Sequence, residues 1–104
     1  MQLQNIFVHH VFFYLKQHDA ANVAALVQGL QKLSSASTIR QFHIGVPAET
    51  YRDVVERSYG VSWLVFFDNP ADQESYQTDP VHLQFIRECS HLWNKVVVYD
   101  SVNA

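Results

Sequence analysis

Between Ile6 and Leu15 the chain reads Ile-Phe-Val-His-His-Val-Phe-Phe-Tyr-Leu, dense in β-branched and aromatic residues, and the polar run Lys16-Gln-His-Asp19 closes it. Successive side chains of a strand point to opposite faces. Ile6, Val8, His10, Phe12 and Tyr14 therefore share one face, and Phe7, His9, Val11, Phe13 and Leu15 the other, so neither is polar enough to be left to water. Such a strand needs cover on both sides. A chain of 104 residues has helical material for one side of a small sheet only. A second copy of the same sheet is the economical cover for the other, and a symmetric homodimer through the open sheet face is the expectation.

The remaining segments supply that sheet and its helices. Asp19 suits a helix cap, and Val23, Leu26, Val27, Leu30 and Leu33 follow at helical spacing up to the cluster Ser34-Ser35-Ala36-Ser37. Thr38 to Val46 reads as a second strand, ended by Pro47. Ala48 to Arg57 is charged and aperiodic, a loop with at most a helical turn. Ser58 to Phe67 is a third strand, with Tyr59, Val61, Trp63, Val65 and Phe67 on one face and Leu64 and Phe66 on the other. Asn69-Pro70 and Asp79-Pro80 each place a capping side chain before a proline suited to a first helical turn. They predict two helical pieces, to about Thr78 and Trp93, before a last strand over Lys95 to Val102. The order β-α-β-β-α-β is the split βαβ arrangement of ferredoxin-like α+β domains, with a four-stranded antiparallel sheet, here one domain over residues 1–104.

Composition narrows the partners. A formal charge of −3, with no stretch that gathers the bases, argues against a nucleic-acid partner. No apolar run reaches a membrane span, and the opening Met1-Gln-Leu-Gln-Asn-Ile-Phe-Val lacks the features of a signal peptide, so a cytoplasmic protein is expected. The single Cys89 fits a reducing compartment and reads as an inert thiol within a helix. The six histidines invite a metal, but their spacing does not. His9 and His10 point to opposite faces of a strand, His82 and His91 to opposite sides of a helix, and Glu88 with His91 are too few ligands for zinc. Gly29, Gly45 and Gly60 form no phosphate-binding loop, so neither a metal nor a cofactor is expected.

Five segments in order resemble a family: His10-Val-Phe-Phe13, Phe42-His-Ile-Gly45, Tyr59, Tyr76-Gln-Thr-Asp-Pro-Val-His82 and Lys95-Val-Val-Val-Tyr-Asp100. The chain is similar over nearly its whole length to the stress-responsive α/β-barrel, or Dabb, domain. The resemblance implies a dimeric α+β barrel of ferredoxin-like units. It also implies varied functions, including a plant polyketide cyclase that needs no metal or cofactor and uses the Tyr and final His of a Tyr-x-x-His-Pro-x-His segment for acid/base work. Tyr76 and His82 stand at those positions. Asp79 replaces the first His of the segment, and Val61 replaces a His that often follows the strand-three Tyr, which separates this chain from the cyclase's specific reaction.

The residues themselves carry a compatible reading. Phe85, Ile86, Cys89 and Trp93 follow His82 at spacings that place its ring on the apolar stripe of the helix. An imidazole there needs a partner or a ligand, and it can serve as a base beside a phenol that orients a substrate oxygen. The alternative is a packed histidine bonded to a backbone carbonyl. His10 is expected to line the same cavity on the parity of Phe12 and Tyr14, with Tyr59, Trp63 and Phe85 as walls. Arg52 and Arg57 read as solvated loop residues. The leading expectation is a cavity for a small apolar or aromatic molecule, with His82 as base and Tyr76 as acid in a cofactor-free proton transfer such as a cyclisation or isomerisation. A non-catalytic binding or structural module is the competing class, and a cofactor-free oxygenase a third, by analogy of fold.

Overall fold

In the computed structural model, which describes residues 1–104, the polar break after the first strand ends at Asp19. Its carboxylate accepts from the Asn22 amide at 2.9 Å and starts a helix. The elements are β1 (Phe7–Leu15), α1 (Ala20–Leu33), β2 (Gln41–Gly45), β3 (Val61–Phe67), α2 (Pro70–Gln77), α3 (Pro80–Cys89) and β4 (Trp93–Val102), with a single 3₁₀ turn at Ser90–Leu92. Asn69 caps α2 through the Asp72 amide at 2.8 Å, and Asp79 caps α3 through the Val81 amide at 2.9 Å. Both caps precede a first-turn proline whose missing N–H costs the helix nothing.

The strands form one antiparallel sheet in the order β2-β3-β1-β4, which is the ferredoxin-like fold expected, with its second helical unit in two pieces. The last helix stops at Cys89, short of Trp93, because Trp93 already pairs with Leu15 as the start of β4. Strands two and three are shorter than their apolar runs: β2 begins at Gln41 and β3 at Val61. Before β3, the Gly60 amide donates to the Phe13 carbonyl at 2.8 Å, and a Cβ at Gly60 would lie 2.9 Å from Leu15 Cγ. The close approach at Gly60 requires the absence of a side chain.

All three helices lie on one face. Leu26, Leu30 and Leu33 of α1 and Phe85 and Cys89 of α3 meet Val11, Phe13, Val61, Trp63, Val65 and Phe67 of the sheet in one buried core. The Cα envelope is only 18 Å in its shortest dimension, the depth of one helix layer on one sheet. The other face carries Val8, His10, Phe12, Tyr14, Leu64, Phe66 and Val97, all half-buried, with Tyr99 at 66% exposure beside them. Both faces are thus apolar, as the first strand requires, and the helices cover one. No helix is long and apolar enough to cross a membrane.

Candidate active site

Helices α2 and α3 do not reach across β4, so its helix-side Val96 and Val98 stay exposed at 38% and 45%. Between them and α3 lies a cavity of about 440 Å³. Its walls are mainly apolar, including Val11, Phe13, Phe85, Ile86 and Trp93. Its polar chemistry is contributed by His9, Tyr76 and His82, with Gln77 and Ser90, and no Lys or Arg lines it.

Each of the three ring groups is placed by its element. His9 lies on the helix-covered parity of β1, opposite Asp100 of β4, and its Nδ1 sits 2.6 Å from Asp100 Oδ1. An ionised carboxylate only accepts, so the His9 Nδ1–H donates to Asp100, and Nε2 makes no hydrogen bond within the protein. His9 is 6% exposed, so this pairing also satisfies an imidazole within the core. Tyr76, near the end of α2, is 2% exposed, and its hydroxyl oxygen accepts from the indole Nε1 of Trp63 at 3.1 Å. The Tyr76 ring centroid is 4.6 Å from that of His82 and 5.9 Å from that of His9. His82 stands in the first turn of α3, positioned by the Asp79 cap, and its buried Nδ1 has no hydrogen-bond partner in the protein.

Burial sets the protonation states. It pushes the Tyr76 phenol far above its ordinary value, helped by the Asp79 carboxylate and opposed by the Trp63 hydrogen bond, so the phenol keeps its proton. Burial lowers the His82 pKa, against the upward pull of the Gln77 backbone and Asp79 and with the help of His9, so His82 is neutral at pH 7. A neutral imidazole beside a protonated phenol sets a group able to take a proton next to one able to donate one.

A stability consequence follows. A ring whose folded pKa lies below its unfolded value, 6.5 for His82, binds fewer protons folded than unfolded. Its contribution is therefore intact above that value and is lost as pH falls from there toward the folded pKa. His10, also lowered by burial and by its neighbours His43 and His9, acts in the same direction. The wild-type melting temperature is expected to drop from about pH 7.5 to about pH 5.5, and His82→Gln is expected to flatten part of that loss. Parallel melting curves for the two proteins across this range would show that His82 does not titrate as described.

The structure brings together His82, Tyr76, Trp63 and Phe85. It does not bring His10 or Tyr59. His10 sits with Phe12, ring centroids 4.3 Å apart, on the open face, because the helices cover the odd-numbered parity of β1. Tyr59 precedes β3 and packs edge-on against Phe12 at 5.0 Å, since the turn at Gly60 ends the alternation that put it beside Trp63. His9 and Asp100 lie outside the residues that the sequence singles out. The available signal was a polar pair in apolar strands, an imidazole early in the first and a carboxylate late in the last. Arg57 is held in its loop, over the Tyr51 ring at 4.5 Å and donating to the Ala48 carbonyl at 2.8 Å. Asp79, where the family pattern has His, serves as a helix cap. No group of three or more His, Cys, Asp or Glu side chains is gathered as for a metal ion.

Comparison with known proteins agrees with this architecture. Residues 7–103 match the model of the Stress responsive A/B Barrel Domain, Dabb. No curated protein matches. Among solved structures, a Dabb family protein with a ferredoxin-like fold from Mesorhizobium loti is 22% identical, with a TM-score of 0.77, covering 97% of this chain and 99% of its own. A dimeric protein of unknown function and ferredoxin-like fold from Bacteroides fragilis is 17% identical, with a TM-score of 0.73 and coverage of 98% and 100%. The hydroxynitrile lyase of Passiflora edulis is 20% identical, with a TM-score of 0.76 and coverage of 98% and 96%.

Proposed function

Since the chain belongs to the stress-responsive A/B barrel family, we propose that it acts as a homodimer, joined through its open sheet face, in which each subunit binds a small uncharged apolar or aromatic carbonyl compound and moves a proton on it without a cofactor. The observation that carries this reading is the convergence of His82, Tyr76 and the His9–Asp100 pair on one otherwise apolar cavity of about 440 Å³. Apolar walls select an apolar body, and the lack of any cationic side chain leaves a carboxylate or phosphate without an anchor. In the step proposed, His82 takes a proton at Nε2 from carbon next to the carbonyl. The C–H electron pair becomes the new C=C bond, the C=O pair moves to oxygen, and the Tyr76 hydroxyl stabilises that oxygen. Protonated His82 swaps its proton with solvent and returns one to the same carbon, which completes an exchange, or, where the enolate is extended by a further C=C bond, to the far end of that system, which completes an isomerisation. The His9 ring, oriented by Asp100, offers a second nitrogen from β1. A fold shared with a hydroxynitrile lyase is compatible with this chemistry, although a fold alone does not assign a substrate.

The test uses phenylacetone and 2-tetralone in D₂O, with deuterium incorporation followed by NMR. Exchange well above the buffer rate, with saturation, is the expected result. Binding of the ketones without enhanced exchange would move the protein to the class of non-catalytic binding modules, and no binding would remove the cavity reading altogether.

A further inference from the structure

Trp63 and Tyr76 are the two largest side chains that are fully buried, and they share a hydrogen bond whose direction is fixed by chemistry. An indole nitrogen only donates, so the Tyr76 oxygen accepts and keeps its own proton for another group. Neither a side chain nor a backbone carbonyl of this chain accepts that proton, and Tyr76 lines the cavity. We infer that Trp63 is a positioning residue: its indole N–H occupies one lone pair of the phenol oxygen and aims the phenol's proton into the cavity, at the anionic oxygen of an enolate, alkoxide or phenolate.

The inference rests on the proton-transfer reading, which places such an oxygen there, and it adds the residue that orients the acid. A rotating hydroxyl would spend part of its time pointed elsewhere. Hydrogen bonds in a chain also polarise one another, so an N–H···O–H···O⁻ relay makes the phenol a stronger donor than it is alone. The effect is differential, because a ligand without an oxygen at this point gains nothing from Trp63.

The test compares 4-nitrophenol and nitrobenzene, alike in ring and nitro group, of which only the first presents an ionised oxygen at about pH 8. Dissociation constants are measured by NMR titration for the wild type and for Trp63→Phe, which keeps an aromatic ring and removes the N–H. The wild type is expected to prefer 4-nitrophenolate. Trp63→Phe is expected to lose about fivefold of that preference, read as the ratio of the two dissociation constants within each protein, so that a change in wall packing common to both probes cancels. A wild type without the preference, or a variant that keeps it in full, overturns the inference and leaves the cavity reading intact. A wild type that binds neither probe overturns the cavity reading and the inference with it. Because Trp63 is in the core, the wild type alone supplies a second readout through its two tryptophans. The bonded Trp63 indole N–H resonance is expected to move downfield with 4-nitrophenolate and not with nitrobenzene, Trp93 being the internal reference. Indifference of the Trp63 resonance to the probe's oxygen overturns the inference even where the variant does not fold.

Discussion

Phe12→Asp is expected to convert the protein from a dimer into a folded monomer. Phe12 lies near the middle of the open sheet face, with the rings of His10, Tyr59 and Tyr99 at 4.3, 5.0 and 6.1 Å. In a symmetric pairing each copy places this residue in the same interface, so one substitution puts two like-charged carboxylates into a largely apolar contact. Desolvating unpaired charges costs several kcal/mol each, enough to weaken the dimer by about a thousandfold or more. The monomer itself tolerates the change, because Phe12 points away from the buried core of Val11, Phe13 and Trp63. Analytical ultracentrifugation at micromolar concentration, beside far-ultraviolet circular dichroism, checks both halves. A wild type sedimenting as a monomer, or a Phe12→Asp variant that stays dimeric, would show that the open face is not the subunit contact.

The second large effect concerns the proton transfer. His82→Gln is expected to lower the exchange rate on phenylacetone by about 10²- to 10⁴-fold, the range for loss of a positioned base. Tyr76→Phe removes the donor to the developing oxyanion, and with it the acceptor of the Trp63 N–H, and is expected to cost about 10²- to 10³-fold. The double variant should be little slower than the worse single one, because both groups act in one step. Stability separates a base from a packed histidine. The buried Nδ1 of His82 has no well-formed hydrogen bond, with only the Gln77 backbone acting on the ring, so the fold gains little from that nitrogen. The melting temperature of His82→Gln is therefore expected to match or exceed the wild type's above pH 7. A large drop instead, with ketone exchange unchanged, would identify a structural histidine and favour the binding-module reading.

Much of the site was legible before any coordinates, and the reasons differ by residue. His82, Phe85 and Cys89 were readable because helical spacing forces them to one side of α3, and Asn69-Pro70 and Asp79-Pro80 mark both helix starts chemically. Trp63 was readable as inward from the alternation of β3. Tyr76 came from the family resemblance, because α2 has only a weak apolar stripe of its own. His10 and Tyr59 lie elsewhere for different causes: the turn at Gly60 breaks the alternation that would set Tyr59 beside Trp63, and for His10 the cause is parity. Strand alternation sorts residues into two sets but does not say which set meets the helices, and β1 is apolar in both.

By itself the sequence determined the element types and their order, the antiparallel α+β architecture, and the need of the first strand for cover on both faces. These follow from local chemistry, namely periodicity, capping side chains and prolines, which acts over a few residues. Only the tertiary structure decided which parity of β1 lies under the helices. That choice turned His9 inward toward Tyr76 and His82, and turned His10 to the open face. It also decided that His9 and Asp100, 91 residues apart, meet at 2.6 Å. Such a pairing depends on the register between the first and last strands, which is set by the fit of the whole core and not by any property of either residue.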